Sequence, residues 1–245
     1  IFDHWKASPE TINFGLKRLP DRCYGIPGQH DLPWHDYSSL KKSAFYTLVQ
    51  TGKVVLLEPG KETLVDNGPV PIRLHGFPYN FPVKPCGPPH DFYLDVAVIH
   101  SFIWTAKTGH PEAKQSQRLS SWKKRLKGYD VAVFGDNHQE FLAKVGKCTV
   151  LNCGTFLRRK QDEFKCRPSV GMLMKDGTVK LRRLDVSADV FGQGKERQST
   201  TIDMRAFMDE LAGLEDSGLD FADAVNRALK GKSKRLAKVV AEAML

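Results

Sequence analysis

The chain is 245 residues long, 41% hydrophobic and 27% charged, ordinary usage for a globular protein with one substantial core, or one domain and a small appendage. No apolar run reaches the length of a bilayer span, and the first residues, IFDHWKASPE, lack the basic region and apolar stretch of a secretory signal. These features argue against a disordered chain and a membrane protein and lead to the expectation of a cytoplasmic, reducing location. The formal net charge of +9 at pH 7, carried by runs such as WKKRLKG, LRRKQDEFKCR and KGKSKRLAK, favours a polyanionic partner, with nucleic acid ahead of an anionic membrane surface.

In chain order, SPETINFGLKRL opens a helix, with Ser8 as N-cap, Pro9 at the first helical position and Glu10 in the first turn. The apolar, β-branched runs CYGIPG, KVVLLEPG, PIRLHGFPY, LDVAVIH, YDVAVFG and CTVLNCG are each bounded by Gly, Pro or a polar cluster and predict strands. A polar, aperiodic stretch from Thr105 to Arg118 predicts a long loop, and SSWKKRLKG predicts a second helix. SVGMLMKDGTVKLRRLDV predicts a hairpin with Asp176 and Gly177 as a two-residue turn. After about Phe191, TIDMRAFMDELAGL, DFADAVNRALKG and KRLAKVVAEAML are amphipathic helical stretches. The division expected is therefore an α/β domain over 1–190 and a helical C-terminal extension over 191–245. The five cysteines, Cys23, Cys86, Cys148, Cys153 and Cys166, have no CxxC spacing, which points to free thiols instead of a disulfide framework or a zinc ribbon.

Several predicted strands deliver chemistry-bearing residues just past their C-terminal ends. YGIPG leads to Gln29, His30 and Asp31, DVAVI to His100, DVAVFG to Asp136 and His138, and VLNCG to Thr155. Ligands of α/β folds gather at such strand ends. Imidazole and carboxylate together suit Mn, Fe, Zn or Ni, and paired ions can clamp a phosphoryl group. His35 and Asp36 read as loop surface near that site, His75 as packed within a strand, and His90 and His110 as residues of Pro- or Gly-rich loops.

The order GQHD, a lone His100 after a strand, GDNH and then NCGTFLRR resembles the calcineurin-like metallophosphoesterases, whose pattern is Gly-Asn-His-Asp, a lone His, Gly-His-x-His and an Asn-Pro-Gly-Ser-like turn. The opening IFDHWKASPETINF and the strand IRLHGFPY are similar to SbcD-type DNA repair exonucleases, and the resemblance spans roughly Ile1 to Val186. It implies a four-layer α/β/β/α sandwich of mixed sheets and a dinuclear site for two divalent ions, Mn first and Fe, Zn, Ni or Mg as alternatives. Gln29 (in place of the family's Asn), His100, Asp136 (in place of the first His of Gly-His-x-His) and His138 would be metal ligands. His30 would protonate the leaving alkoxide with Asp31 orienting it, and Thr155, Arg158 and Arg159 would contact phosphate. The implied activity is hydrolysis of DNA phosphodiesters, with an SbcC-like ATPase and a homodimer as partners. The alternatives are a phosphatase or phosphodiesterase for small or protein substrates, and a degenerate nucleic-acid-binding module. The family's Asp-x-His and Gly-Asp motifs, the latter carrying the bridging aspartate, do not precede Ile1, so the expectation is an N-terminally truncated chain that holds two metals poorly and is inactive as it stands.

Overall fold

A computed structural model describes residues 1–66, 70–87, 92–109, 113–157, 166–174 and 176–189. The expected C-terminal helices, Arg158, Arg159, His90 and His110 lie outside the described residues. Helix α1 (Pro9–Arg18) begins as expected: the Ser8 hydroxyl accepts from Thr11 N–H, Glu10 sits in the first turn, and Lys17 and Arg18 face the C-terminal end of the dipole. A second helix, α2 (Ala44–Gln50), was not expected. Ser43 caps it by accepting from Tyr46 N–H, and it buries Ala44, Phe45 and Leu48. With Leu32, Leu40, Val54 and the partly buried Phe2, Leu16 and Leu19, Phe45 and Leu48 form one apolar cluster.

All of the expected strands form. β1 (Cys23–Gly25) pairs in parallel with β2 (Val54–Leu56). β3 (Glu62–Val65), β4 (Ile72–Phe77), β5 (Leu94–His100), β6 (Val131–Gly135), β7 (Phe141–Val145) and β8 (Cys148–Asn152) make one six-stranded sheet in the order β3-β4-β5-β6-β8-β7. Its inner strands β4, β5, β6 and β8 are parallel, and the antiparallel β3 and β7 form its two edges. The architecture is thus α/β with a mixed sheet. β9 (Ser169–Leu173) and β10 (Val179–Arg183) are the predicted hairpin. Its loop differs from expectation: Met174 N–H bonds Thr178 O and Gly177 N–H bonds Met174 O, which closes a three-residue loop with Gly177 at φ +77°. Asp176 stiffens it by accepting from the N–H and hydroxyl of Thr178.

Side chains alternate across each strand. Ala97, Ile99, Ala132, Phe134 and Val150 face one side of the sheet, where they pack with Ile103, Leu119, Trp122, Leu126 and Tyr129. The segment SSWKKRLKG that supplies Trp122 and Leu126 is not an α-helix. It is a 3₁₀ turn (Leu119–Trp122) followed by turns, ending at Gly128, whose φ of +92° and close approach to the Cys86 carbonyl exclude a side chain. Two aromatic or aliphatic anchors spaced by four residues were enough to bury this segment without a regular helix. The opposite face of the sheet meets the hairpin: a Cβ on Gly171 would lie 2.1 Å from Leu151 Cδ2, and one on Gly177 3.3 Å from Leu94 Cδ2. None of the five cysteines forms a disulfide, and of them Cys148 is buried. Among the described residues no helix is long and apolar enough to cross a membrane.

At the N-terminal end of the parallel strands, Asp95 is fully enclosed and accepts from Arg73 Nε at 2.6 Å and Nη2 at 2.9 Å, a bidentate pair, with His75 Nε2 also 2.9 Å away. Burial opposes ionisation of Asp95, but Arg73 and His75 outweigh it and hold the carboxyl below its usual range. Arg73→Ala would leave that buried charge with His75 alone and without its bidentate partner, and we expect a loss of about 3–5 kcal/mol in urea denaturation. Because the folded state holds this proton more weakly than the unfolded chain, the stabilisation is present above the ordinary carboxylate range and fades as pH falls through it, so the parent's advantage over Arg73→Ala shrinks in acid.

Candidate metal centre at the strand ends

The site follows from strand register. β5 and β6 are parallel with His100 opposite Gly135, so both strands stop at one level and the chain turns outward at Asp136, whose φ is +90°. His100 lies between two glycines. A Cβ on Gly28 would come 2.7 Å from His100 Cε1, and one on Gly135 3.2 Å from Nδ1. Gly28 leads into a 3₁₀ turn (Gln29–Asp31), and this brings the Gln29 amide between the two strand ends. His100 Nε2 donates to Gln29 Oε1, while Gln29 Nε2 donates to Asp136 Oδ1 at 3.0 Å. Burial pushes the His100 imidazole below its ordinary value against the opposing pull of the Asp136 and Asp31 carboxylates. The ring is therefore held neutral, the form that ligates metal.

Gln29 Oε1, His100 Nε2 and the Asp136 carboxylate form a mixed oxygen and nitrogen donor set that fits one divalent cation of the Mn, Fe, Zn or Ni type. A cation there would exchange the hydrogen bonds between these donors for bonds to itself. His100 and Asp136 open on a cavity of about 640 Å³, also lined by Tyr79, Phe81, Phe102 and Arg125. His138 and Thr155 sit elsewhere: both line a neighbouring cavity of about 420 Å³ with Lys107, Arg167 and Arg183. The Thr155 hydroxyl donates to Leu157 O, and its N–H bonds His138 O. Among the described residues the one group of His, Cys, Asp or Glu with ligand atoms within 4.8 Å is His75, Cys86 and Asp95. Arg73 already supplies the positive charge at that group, and burial pushes the Cys86 thiol up to about 11, so it acts as an ion-pair node.

Asp31 corrects the sequence reading. Its carboxylate does not address His30; it accepts from the Ile1 nitrogen at 3.0 Å, Phe2 N–H at 2.9 Å and Gly28 N–H at 3.0 Å. It is 2% exposed and ties the site turn to the segment before α1. His30 is exposed on the same turn, its ring edge-on to His35 at 6.3 Å. Tyr79 links this pair to the donors, 5.9 Å from the His35 ring and 6.4 Å from the His100 ring.

Two residues that set the site were missed in the sequence. Asn137 donates to Ile103 O and Thr108 O and accepts from Gln139 N–H. Asn152, 1% exposed, donates to Asn137 O and Gln139 O. Together they hold the Asp136 to Gln139 loop against the end of β8. Their signal was an asparagine within GDNH and another closing an apolar strand, where a buried amide has to satisfy loop carbonyls. No family model and no curated protein matches the chain. Asn152→Ala would strand two loop carbonyls without a donor, and we expect it to cost about 1–3 kcal/mol in chemical denaturation.

Proposed function

We propose that the protein is a metal-dependent phosphodiesterase acting on DNA, a nuclease like the SbcD-type calcineurin-like metallophosphoesterases. The observation that carries this reading is the meeting of Gln29, His100 and Asp136, far apart in sequence, at the ends of β1, β5 and β6, in the order the motif resemblance assigns. A divalent cation held there would supply positive charge to a phosphoryl oxygen. The reading takes two such ions, Mn ahead of Fe, Zn, Ni and Mg, with His138 as a ligand of the second. His100 offers a neutral ring nitrogen, Asp136 a carboxylate, and Gln29 an amide oxygen aimed by its own hydrogen bond to Asp136. His30, exposed beside them, is the acid that gives its proton to the leaving alkoxide. Thr155 contacts substrate phosphate, as Arg158 would.

The basic balance of the chain favours a polyanionic substrate over a small phosphomonoester. In this reading the fold is the four-layer α/β/β/α sandwich, with the β9–β10 hairpin in the layer on the second face of the main sheet. The protein works in the cytoplasm, with an SbcC-like ATPase and a second copy of itself as partners. A degenerate nucleic-acid-binding module is the second reading, and the position of His138 on a different cavity from His100 and Asp136 favours it.

The deciding measurement is Mn-dependent hydrolysis of linear DNA beside Mn binding by titration calorimetry. Preceded by the Asp-x-His and Gly-Asp motifs that the resemblance implies, the chain is expected to bind Mn and cut DNA. His100→Ala is expected to weaken Mn binding, and His30→Ala to keep it while losing about 10²–10⁴ of the rate. Mn binding without hydrolysis of DNA or of a small phosphodiester would transfer the protein to the binding-module reading. Gly28→Ala, which drives a methyl into the His100 ring, is expected to lower Mn affinity by about 10–100-fold with an unchanged circular dichroism spectrum.

A further inference from the structure

Next to the site turn, the backbone takes a conformation that side chains seldom adopt. Trp34 has φ +53° and ψ +22°, and His35 has φ +59°. Two successive non-glycine residues in the left-handed region carry a strain that persists only where the surroundings impose it. Buried Leu32 and Pro33 anchor the turn, and His35 N–H and Asp36 N–H close it on Leu32 O and Pro33 O. The strain does not bury the indole: Trp34 is 73% exposed.

The exposed ring has company. Its centroid is 6.0 Å from that of Trp5, which stacks on His4 at 5.5 Å. Lys42 Nζ lies 5.4 Å from the Trp34 centroid and Lys6 Nζ 4.8 Å from the Trp5 centroid. Trp5 is fixed by its carbonyl, which accepts from Ala44 N–H at 2.8 Å, and Lys42 by the 3₁₀ turn (Tyr37–Lys42). The acidic groups of these two stretches are Asp3 and Asp36, and the Asp36 carboxylate is engaged by Ser38. Flat aromatic faces flanked by ammonium groups match unstacked bases on a phosphate backbone. A duplex keeps its base faces stacked inside, so it would use only the lysines.

We propose that Trp34 and Trp5, with Lys6 and Lys42, form a binding strip for a single-stranded segment of nucleic acid, with Trp34 as the principal stacking platform. Through His35, His30 and Tyr79 the strip runs on to the His100 site. It extends the phosphodiesterase reading by naming the form of the substrate strand that enters, yet it is read by binding alone, without divalent metal.

The experiment is fluorescence anisotropy of a labelled oligothymidylate of roughly 15 nucleotides, titrated with the full chain in EDTA, beside the same length of duplex. Single-stranded DNA is expected to bind more tightly than duplex and to quench tryptophan emission. Trp34→Ala is expected to weaken single-strand binding by about 5–150-fold, and Trp34→Phe to retain most of it. Trp34→Gly removes the ring and relieves the left-handed strain together, so it should lose affinity while its Tm stays at or above the parent's. Parent-like single-strand binding by folded Trp34→Ala, equal affinity for duplex, or no DNA binding by the parent would each overturn the proposal. Retained strip behaviour in a protein that never hydrolyses DNA would overturn the nuclease reading and leave the strip standing.

Discussion

The parallel register of β5, β6 and β8 is the constraint on which the rest of this structure depends. Pairing of Val96 with Val131 and of Val131 with Thr149 makes the strands end together, so His100, Asp136 and the Asn152 side chain come out at one edge. A slip of one residue would turn each of these side chains to the opposite face. The register is itself held by packing: Ala97, Ala132 and Val150 are wholly buried and pack with Trp122 and Leu126.

At the two ends of the sheet, polar groups are used differently. At the N-terminal end, Asp95, Arg73 and His75 satisfy each other so completely that a group with metal-ligand spacing is electrostatically closed to a cation. At the C-terminal end the donors Gln29, His100 and Asp136 face each other, and among the described residues no cationic side chain is bonded to them. Like residue types thus give an ion-pair node in one place and a candidate binding site in the other. The difference lies in whether a guanidinium arrives with the carboxylate.

The turn after β1 joins the site to the surface. Asp31 gathers backbone N–H groups from Gly28 and the start of the chain, which fixes Gln29 and His30 on one side. On the other, Leu32 and Pro33 bury and force Trp34 and His35 into left-handed backbone. The same short segment therefore aims an amide at His100 and presents an indole to solvent, and the strain in its second half is the counterpart of the rigidity in its first.

The sequence by itself determined all the strands except the two edge strands β3 and β7, where α1 begins, and which residues would crowd past the strand ends, because apolar alternation, capping and Gly or Pro punctuation are local signals. It did not determine α2, whose apolar residues Ala44, Phe45 and Leu48 are too few to set a period, or the three-residue closure of the β9–β10 loop, which depends on cross-strand bonds. It marked Gln29, His100 and Asp136 as candidates, but only the tertiary structure decided that these three meet while His138 and Thr155 line another cavity, and that Asp31 holds backbone instead of His30. Those outcomes rest on register, on the space left by Gly28 and Gly135, and on Asn137 and Asn152 bonding carbonyls from separate segments. Such contacts join residues up to about a hundred positions apart, where no local pattern in the chain records them.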